Sequence, residues 1–498
     1  MSRHSLLTTL TLGIWLLGLP LKVMTQDAPL FIQGGFEDAT ATDDSYNTGG
    51  TISLNGFTIT VPTNVLVQFP AAWVPWKDFV EDKEAMIGYE INAIGNFING
   101  EPIAAQILAY EFFEGLNSGF IESIDHEDGS MKISAGPTLR ISDPNAVFSV
   151  GFDEAPFFTA DDESPSISSF SGFPMCIPRN SSDPACPASN RPFQGSGTFM
   201  APFLPGDFVT FQGIRRGNEF ICFSIIAENV QILTLGDMVY VRMELGLLGI
   251  SNFNPNAELA ESRFIGFVSN SRATVALYAM DYDPCTGEVT DRIVAALGLR
   301  GGGNEQNKFE YRADLLTGYA REYRVVTEID GVPKTRTTKN NLLAGTYVQP
   351  VNVWVQGEQA IPGTPPPPYD FSQMPWLTQG VGIDADGNLW GPLDPFPQTG
   401  VIIDAPQCGD LSATDFRGDE VDTDWVPSAT LLNDTLPLNS TTTLVNTTSE
   451  VVITNATPDD SGVARKRNVS SGRWLTRARL EAEVSGDDDS QTNRTTAA

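Results

Sequence analysis

Histidine is almost missing from this chain: the 498 residues contain two, His4 and His126. Metal centres built on several imidazoles, for zinc, copper or non-haem iron, are excluded by that count. His126 sits in Asp125-His-Glu-Asp-Gly, a turn pattern expected to face solvent. A Ser–His–Asp hydrolase needs its base held beside a nucleophile in a cleft, so His126 reads as an ordinary turn residue. No G-x-S-x-G elbow, G-x-G-x-x-G fingerprint or G-x-x-x-x-G-K-[ST] loop occurs, and no cofactor is implied. Basic residues are also scarce, 30 Lys and Arg against 62 Asp and Glu, for a net charge of -32. Such a surface repels nucleic acid and anionic membranes. Cysteine is limited to five residues without a C-x-x-C pair, so no metal site is read from them.

Long apolar runs are missing too, except near the start. Residues 6–21 form an apolar stretch behind Arg3 and His4, broken by Thr, Gly and Pro. It is shorter than the roughly 20 residues a membrane span needs. With Pro20 and the small Thr25 it reads as a secretion signal, residues 1–26, cleaved near Thr25 or Gln26. The C-terminal residues offer no hydrophobic tail for a lipid anchor, so an extracellular, freely secreted protein without a membrane span is expected. Sequons at Asn180, Asn433, Asn439, Asn446, Asn455, Asn468 and Asn493 agree with that compartment. All but Asn180 fall in 409–498, which is Ser/Thr/Asn-rich and expected to be a disordered, glycosylated tail. Arg465-Lys-Arg is a dibasic processing candidate within it.

What is plentiful is Gly (45), Pro (34) and short apolar runs, the mark of strands and turns. Asn55-Gly56, Asn99-Gly100 and Asp128-Gly129 each separate two strand patterns, which predicts hairpins. The pattern of 89–113, a strand ending in Gly, a polar turn and a longer apolar strand, returns at 206–233 around Arg216-Gly217-Asn218. The spacing predicts a mainly β fold with one or two small Greek-key barrels of the oligonucleotide/oligosaccharide-binding shape, plus additional strands. The expected divisions are a flexible segment 27–50, a first β domain 51–165 and a disulfide loop 166–200. A second β domain at 201–361 and a Pro-rich spacer with a segment packing back on the body at 362–408 complete them.

In an oxidising compartment most cysteines pair. Cys176 and Cys186 bracket a short Pro-rich loop and are expected to bridge. Cys222, inside the apolar run Phe220-Ile-Cys-Phe-Ser-Ile-Ile, is the expected buried leftover, so Cys285 pairs with Cys408.

Several phrases are distinctive together: Phe173-Pro-Met-Cys-Ile-Pro-Arg, Asp183-Pro-Ala-Cys-Pro, Ala201-Pro-Phe-Leu-Pro-Gly-Asp-Phe-Val-Thr-Phe and Tyr278-Ala-Met-Asp-Tyr-Asp-Pro-Cys-Thr-Gly. Over roughly 51–400 the chain resembles a group of large secreted proteins of filamentous fungi that has no established activity. The resemblance implies a fungal secreted origin and one integrated β-rich body, and it brings no catalytic residues.

Carboxylates are the one catalytic type in good supply. Asp153 with Glu154, or Asp161 with Asp162 and Glu163, are the candidate pairs for glycan chemistry, against their reading as solvated turns. Asp384-Ala-Asp-Gly-Asn-Leu-Trp and Asp281-Tyr-Asp-Pro-Cys-Thr-Gly space oxygen ligands as calcium loops do, without the Gly at the sixth position, and each also reads as a hairpin turn. Trp73, Trp76, Trp354, Trp376 and Trp390 stand near Pro or Gly, as sugar platforms often do, or pack in a core. The catalytic residues stay unknown. The reading favoured is a non-catalytic structural or ligand-binding protein, its partner a glycan or a small apolar ligand. An accessory protein of a secreted-metabolite pathway and a carboxylate-dependent glycan-acting enzyme are the alternatives.

Overall fold

The computed structural model describes residues 27–408 apart from 71, 88, 110–116, 154–156, 161–165, 192–196, 251–261, 301–306, 314, 315, 317, 339–341, 356–362, 364, 404 and 405. The expected signal segment, the tail with its six sequons, Glu154, Asp161, Asp162 and Glu163 lie outside the described residues, as does the side chain of Trp354.

Strand β1 (Ala28–Ala41) pairs with two neighbours in succession. Its first half runs antiparallel to β6 (Glu90–Ile98), and beyond a bulge near Phe36 its second half pairs with β2 (Gly50–Leu54). β3 (Phe57–Val61) returns through Asn55-Gly56, both at positive φ (49° and 75°), the turn type whose twist suits a two-residue hairpin. β4 (Leu66–Phe69), β5 (Ala72–Pro75) and two short helices, α1 (Trp76–Glu81) and α2 (Lys83–Met86), lie between β3 and β6. β7 (Glu101–Leu108) follows β6, and its parallel contact with β3 at Thr60–Ile103 closes a barrel in the order β3-β2-β1-β6-β7. Residues 27–50, expected to be flexible, therefore hold the strand on which this barrel is built. The polar residues of β1 misled the reading: Glu37, Asp38 and Thr40 face solvent while Leu30, Ile32, Phe36 and Ala39 point inward.

A second barrel repeats the plan. β8 (Asn117–Asp125), β9 (Ser130–Ile133) and β10 (Thr138–Ile141) are followed by β11 (Ile167–Ser169), β12 (Met175–Cys176) and β13 (Ala201–Pro202), then β14 (Phe208–Arg216) and β15 (Glu219–Ala227). The order β10-β9-β8-β14-β15 closes through parallel pairing of β10 with β15. The returning sequence pattern marks the same hairpin in both barrels, β6–β7 and β14–β15. Each carries a bulge at one glycine, Gly95 and Gly213. A Cβ there would sit 1.9 Å from the Ile103 carbonyl oxygen and 2.0 Å from that of Ile221, respectively. The first barrel thus spans 28–108 and the second 117–227, where the sequence divided the chain near 165 and 200.

Additional strands follow: β16 (Val241–Ile250), β17 (Ser262–Val268), β18 (Thr274–Tyr282), β19 (Val289–Leu297), β20 (Lys308–Ala313), β21 (Glu322–Ile329), β22 (Val332–Pro333), β23 (Arg336–Thr337), β24 (Leu343–Ala344), β25 (Thr346–Pro350) and β26 (Asn352–Val355). β23 and β24 pair only with each other, and the rest form two facing sheets. One sheet runs β20-β17-β16-β26 and the other β19-β18-β21, with β22 and β25 on β21. Phe264 of β17 meets Tyr323 of β21 between them at 4.7 Å.

The last described residues, with α3 (Pro375–Thr378), β27 (Gly382–Ile383) and β28 (Leu389–Trp390), form a strap across the first barrel. The fully buried Asn96 holds it, donating to the Tyr369 and Pro397 carbonyls and accepting the Tyr369 N–H. One continuous core joins the first barrel, the facing sheets and strap residues Phe371, Met374, Leu377 and Leu393, and a second fills the second barrel. The modules therefore make one body.

Candidate functional site

Two features combine polar chemistry with concave space, and both lie where the strap meets the first barrel. The first is an open cleft of about 300 Å³ between α1 and the β27–β28 hairpin. Asp78 and Glu81 project into it from α1, three residues apart and so on one helical face. Lys77 joins them, Asp386 and Asn388 face them from the hairpin, and Tyr46 forms a half-exposed aromatic wall. Lys77 donates to the Asp44 carbonyl at 3.0 Å, and the Tyr46 hydroxyl donates to the Leu389 carbonyl at 2.8 Å. Burial of the Tyr46 ring, opposed by that hydrogen bond, raises its phenol above the ordinary range.

Asp384, the first candidate calcium ligand, is occupied within its own turn. Its carboxylate accepts the backbone N–H groups of Asp386 and Asn388, both at 2.9 Å, and the side chains of Asn388 (3.2 Å) and Trp390 (2.9 Å). Those donors consume the oxygens a cation would need. The Asp281 loop is likewise committed: Asp281 pairs with Arg292 at 2.6 and 2.9 Å, and Asp283 accepts the N–H groups of Cys285 and Thr286. These two N–H bonds hold the Asp283 carboxyl below its usual range. Among the described residues, no three His, Cys, Asp or Glu side chains gather as a metal site.

The second feature is a buried charged seam. Arg321 and Glu322 stand at the start of β21 with side chains 3% and 6% exposed, 3.0 Å apart. The Arg321 guanidinium stacks between Trp73 (4.2 Å) and Tyr282 (4.9 Å). Glu322 accepts the Trp73 indole N–H at 2.9 Å and, through its other oxygen, the Tyr282 hydroxyl. Burial opposes the charge on Arg321, but the Glu322 carboxylate beside it reverses the balance and keeps it protonated. Burial and the same carboxylate push the Tyr282 phenol far up. Both Glu322 oxygens and the Arg321 Nη2 are spent on protein groups, so the seam fastens the first barrel to the facing sheets. A small cavity of about 30 Å³ adjoins it, lined by Gln68, Trp73, Gln106, Arg321 and Trp376.

Of the two readings of the tryptophans, sugar platform or core, core packing holds for most. Trp73, Trp76 and Trp390 are 7%, 1% and 1% exposed. Trp376 is half-buried on α3. His126 is exposed, its Nδ1 2.8 Å from the Pro178 carbonyl, and among the described residues no nucleophile is hydrogen-bonded to it. Asp153 is exposed on the surface.

The cysteines pair as Cys176–Cys186 (Cα–Cα 6.1 Å) and Cys285–Cys408 (5.2 Å), leaving Cys222 buried and free. Burial alone pushes its thiol far up, which makes it unreactive. Asn180 is exposed in the first disulfide loop, with its Oδ1 accepting the Ser182 N–H at 2.9 Å. Sequence reasoning passed over Tyr46, Asp78, Glu81, Arg321 and Glu322. A tyrosine in a polar loop was the one local signal; the rest are ordinary acids and an Arg-Glu pair whose burial no neighbour in sequence announces. No helix among the described residues is long and apolar enough to cross a membrane. No protein-family model and no curated protein matches the chain.

Proposed function

We propose that this is a secreted, non-catalytic protein of the extracellular space that holds a hydroxyl-rich ligand, a segment of oligosaccharide, in the cleft between α1 and the β27–β28 hairpin. The observation that carries the reading is the cleft itself. Its volume of about 300 Å³ is at the lower end of the range for small-ligand sites. Its wall alternates acceptors (Asp78, Glu81, Asp386) with donors (Lys77, Asn388) beside one aromatic ring, Tyr46. Sugar hydroxyls donate and accept at once, which suits that mixture. Tyr46 lies in the loop joining the first two strands of its barrel, a loop that five-stranded barrels of this plan commonly use for ligands.

Binding is favoured over glycan hydrolysis because Glu81 is 65% exposed. A general acid must stay protonated near neutral pH, and enzymes arrange that by burying it. The metabolite-accessory alternative needs an apolar chamber, whereas the cavity beside Trp73 and Trp376 has a volume of about 30 Å³. Secretion is supported by the N-terminal pattern, the sequons and both disulfides. Fungal origin rests on the sequence phrases around Cys176, Cys186 and Cys285.

The test is a glycan array with the full-length secreted protein, followed by titration calorimetry with the neutral oligosaccharides that score. Tyr46→Ala and Asp386→Asn should each weaken binding about fivefold or more, the worth of one hydrogen bond or ring contact. Absence of binding to every neutral glycan overturns the proposal, and so does hydrolysis of a bound one.

A further inference from the structure

The cavity beside the charged seam contains a polar mismatch. Arg321 Nε and Gln106 Oε1 are both buried, and neither has a hydrogen-bond partner among the described residues. Both residues line the same cavity, and they are 4% and 8% exposed. One is an obligate donor and the other an acceptor. Leaving such a group unpaired costs about 1–3 kcal/mol, more when it is charged, so buried polar atoms seldom go without partners. We infer that this cavity is a built water-binding site in which ordered water accepts from Arg321 Nε and donates to Gln106 Oε1.

Size decides the class of ligand. A water needs about 10–15 Å³ of such space, so 30 Å³ admits about two and excludes a sugar or metabolite. Charge decides against an anion, because the Glu322 carboxylate lies 3.0 Å from the guanidinium and already neutralises it. Trp73, Trp376 and Leu377 wall the cavity, and the buried Trp390 lines both it and the open cleft, separating the two spaces. The lining comes from the first barrel (β4, β5, β7), from Arg321 just before β21, and from the strap (α3), so the water bridges the three parts at their meeting point.

A crystal structure of the full chain at about 1.6 Å resolution should show one or two waters, at least one within 3.2 Å of both Arg321 Nε and Gln106 Oε1. In Gln106→Met, which keeps the length and removes the acceptor, that density should disappear. Oxygen-17 relaxation dispersion should register the loss of at least one long-lived water. An empty cavity, a direct Arg321–Gln106 hydrogen bond, or an unchanged dispersion amplitude in Gln106→Met each overturns the inference. The outcome is independent of ligand binding in the cleft.

Discussion

Arg321 is a buried cation at the junction of the first barrel and the facing sheets. A guanidinium buried this deeply persists because Glu322 supplies the opposite charge and because Trp73 and Tyr282 cover its faces. Removing only the charge of its partner separates these effects. Glu322→Gln keeps the shape and an acceptor but leaves the cation uncompensated, which typically costs about 3–5 kcal/mol. Denaturant unfolding should show a loss of that size. The double variant Arg321→Met with Glu322→Gln should recover most of it, since an apolar replacement of a buried pair is often neutral. If Glu322→Gln stays within about 1 kcal/mol of wild type, the seam is held by apolar packing and the pair is incidental. Residue identity alone was a poor guide here. Trp73 and Trp390 could be read as platforms or as core and are walls, while nothing in the neighbouring sequence marked Arg321 and Glu322 as interior.

Elements were far more legible, and the hairpins show why. Asn55-Gly56 and Asn99-Gly100 have positive φ at both positions (49° and 75°, 52° and 89°), a conformation that Asn and Gly adopt at little cost. The information sits in adjacent residues, so a local reading finds it. The bulges at Gly95 and Gly213 also depend on residue type, but their reason lies across the sheet, where the carbonyls of Ile103 and Ile221 leave no room for a Cβ. Gly95→Ala and Gly213→Ala should therefore each destabilise by about 2 kcal/mol or more, the order seen when a packed site is overfilled. Gly35→Ala is the control: it is exposed on β1, its φ is not positive, and a Cβ there meets nothing within 4 Å. Equal losses in all three variants, measured by thermal and denaturant unfolding, would mean strand propensity rather than carbonyl contact sets the cost. The returning pattern at 206–233 was legible for the same local reason, whereas β1 was not. A bulged strand serving two neighbours loses the simple alternation by which strands are recognised.

At the scale of the whole molecule the two disulfides constrain very different lengths of chain. Cys176–Cys186 closes a separation of 10 residues and Cys285–Cys408 one of 123. In the chain-entropy treatment the first stabilises by about 2.5–3 kcal/mol and the second by about 5 kcal/mol. Replacing Cys285 and Cys408 together by Ser should thus lower stability more than replacing Cys176 and Cys186, with the difference read from reversible denaturant unfolding. The reverse order would show that the strap is fixed chiefly by Asn96 and its apolar residues, and that the bridge adds little.

The sequence by itself determined the turns, the strand-rich class with its small barrels and the cysteine pairing. Each of these depends on residue counts or on neighbours a few positions apart. Only the tertiary structure decided which polar groups are interior and which carboxylates converge. Asp78 meets the 384–388 turn across some 300 residues of chain, and Trp73 meets Glu322 across 249. Burial and charge proximity are properties of the assembled surfaces, created when the strap and β21 close on the first barrel. No spacing within a segment encodes them, because the partner that supplies the opposing wall is folded from elsewhere in the chain.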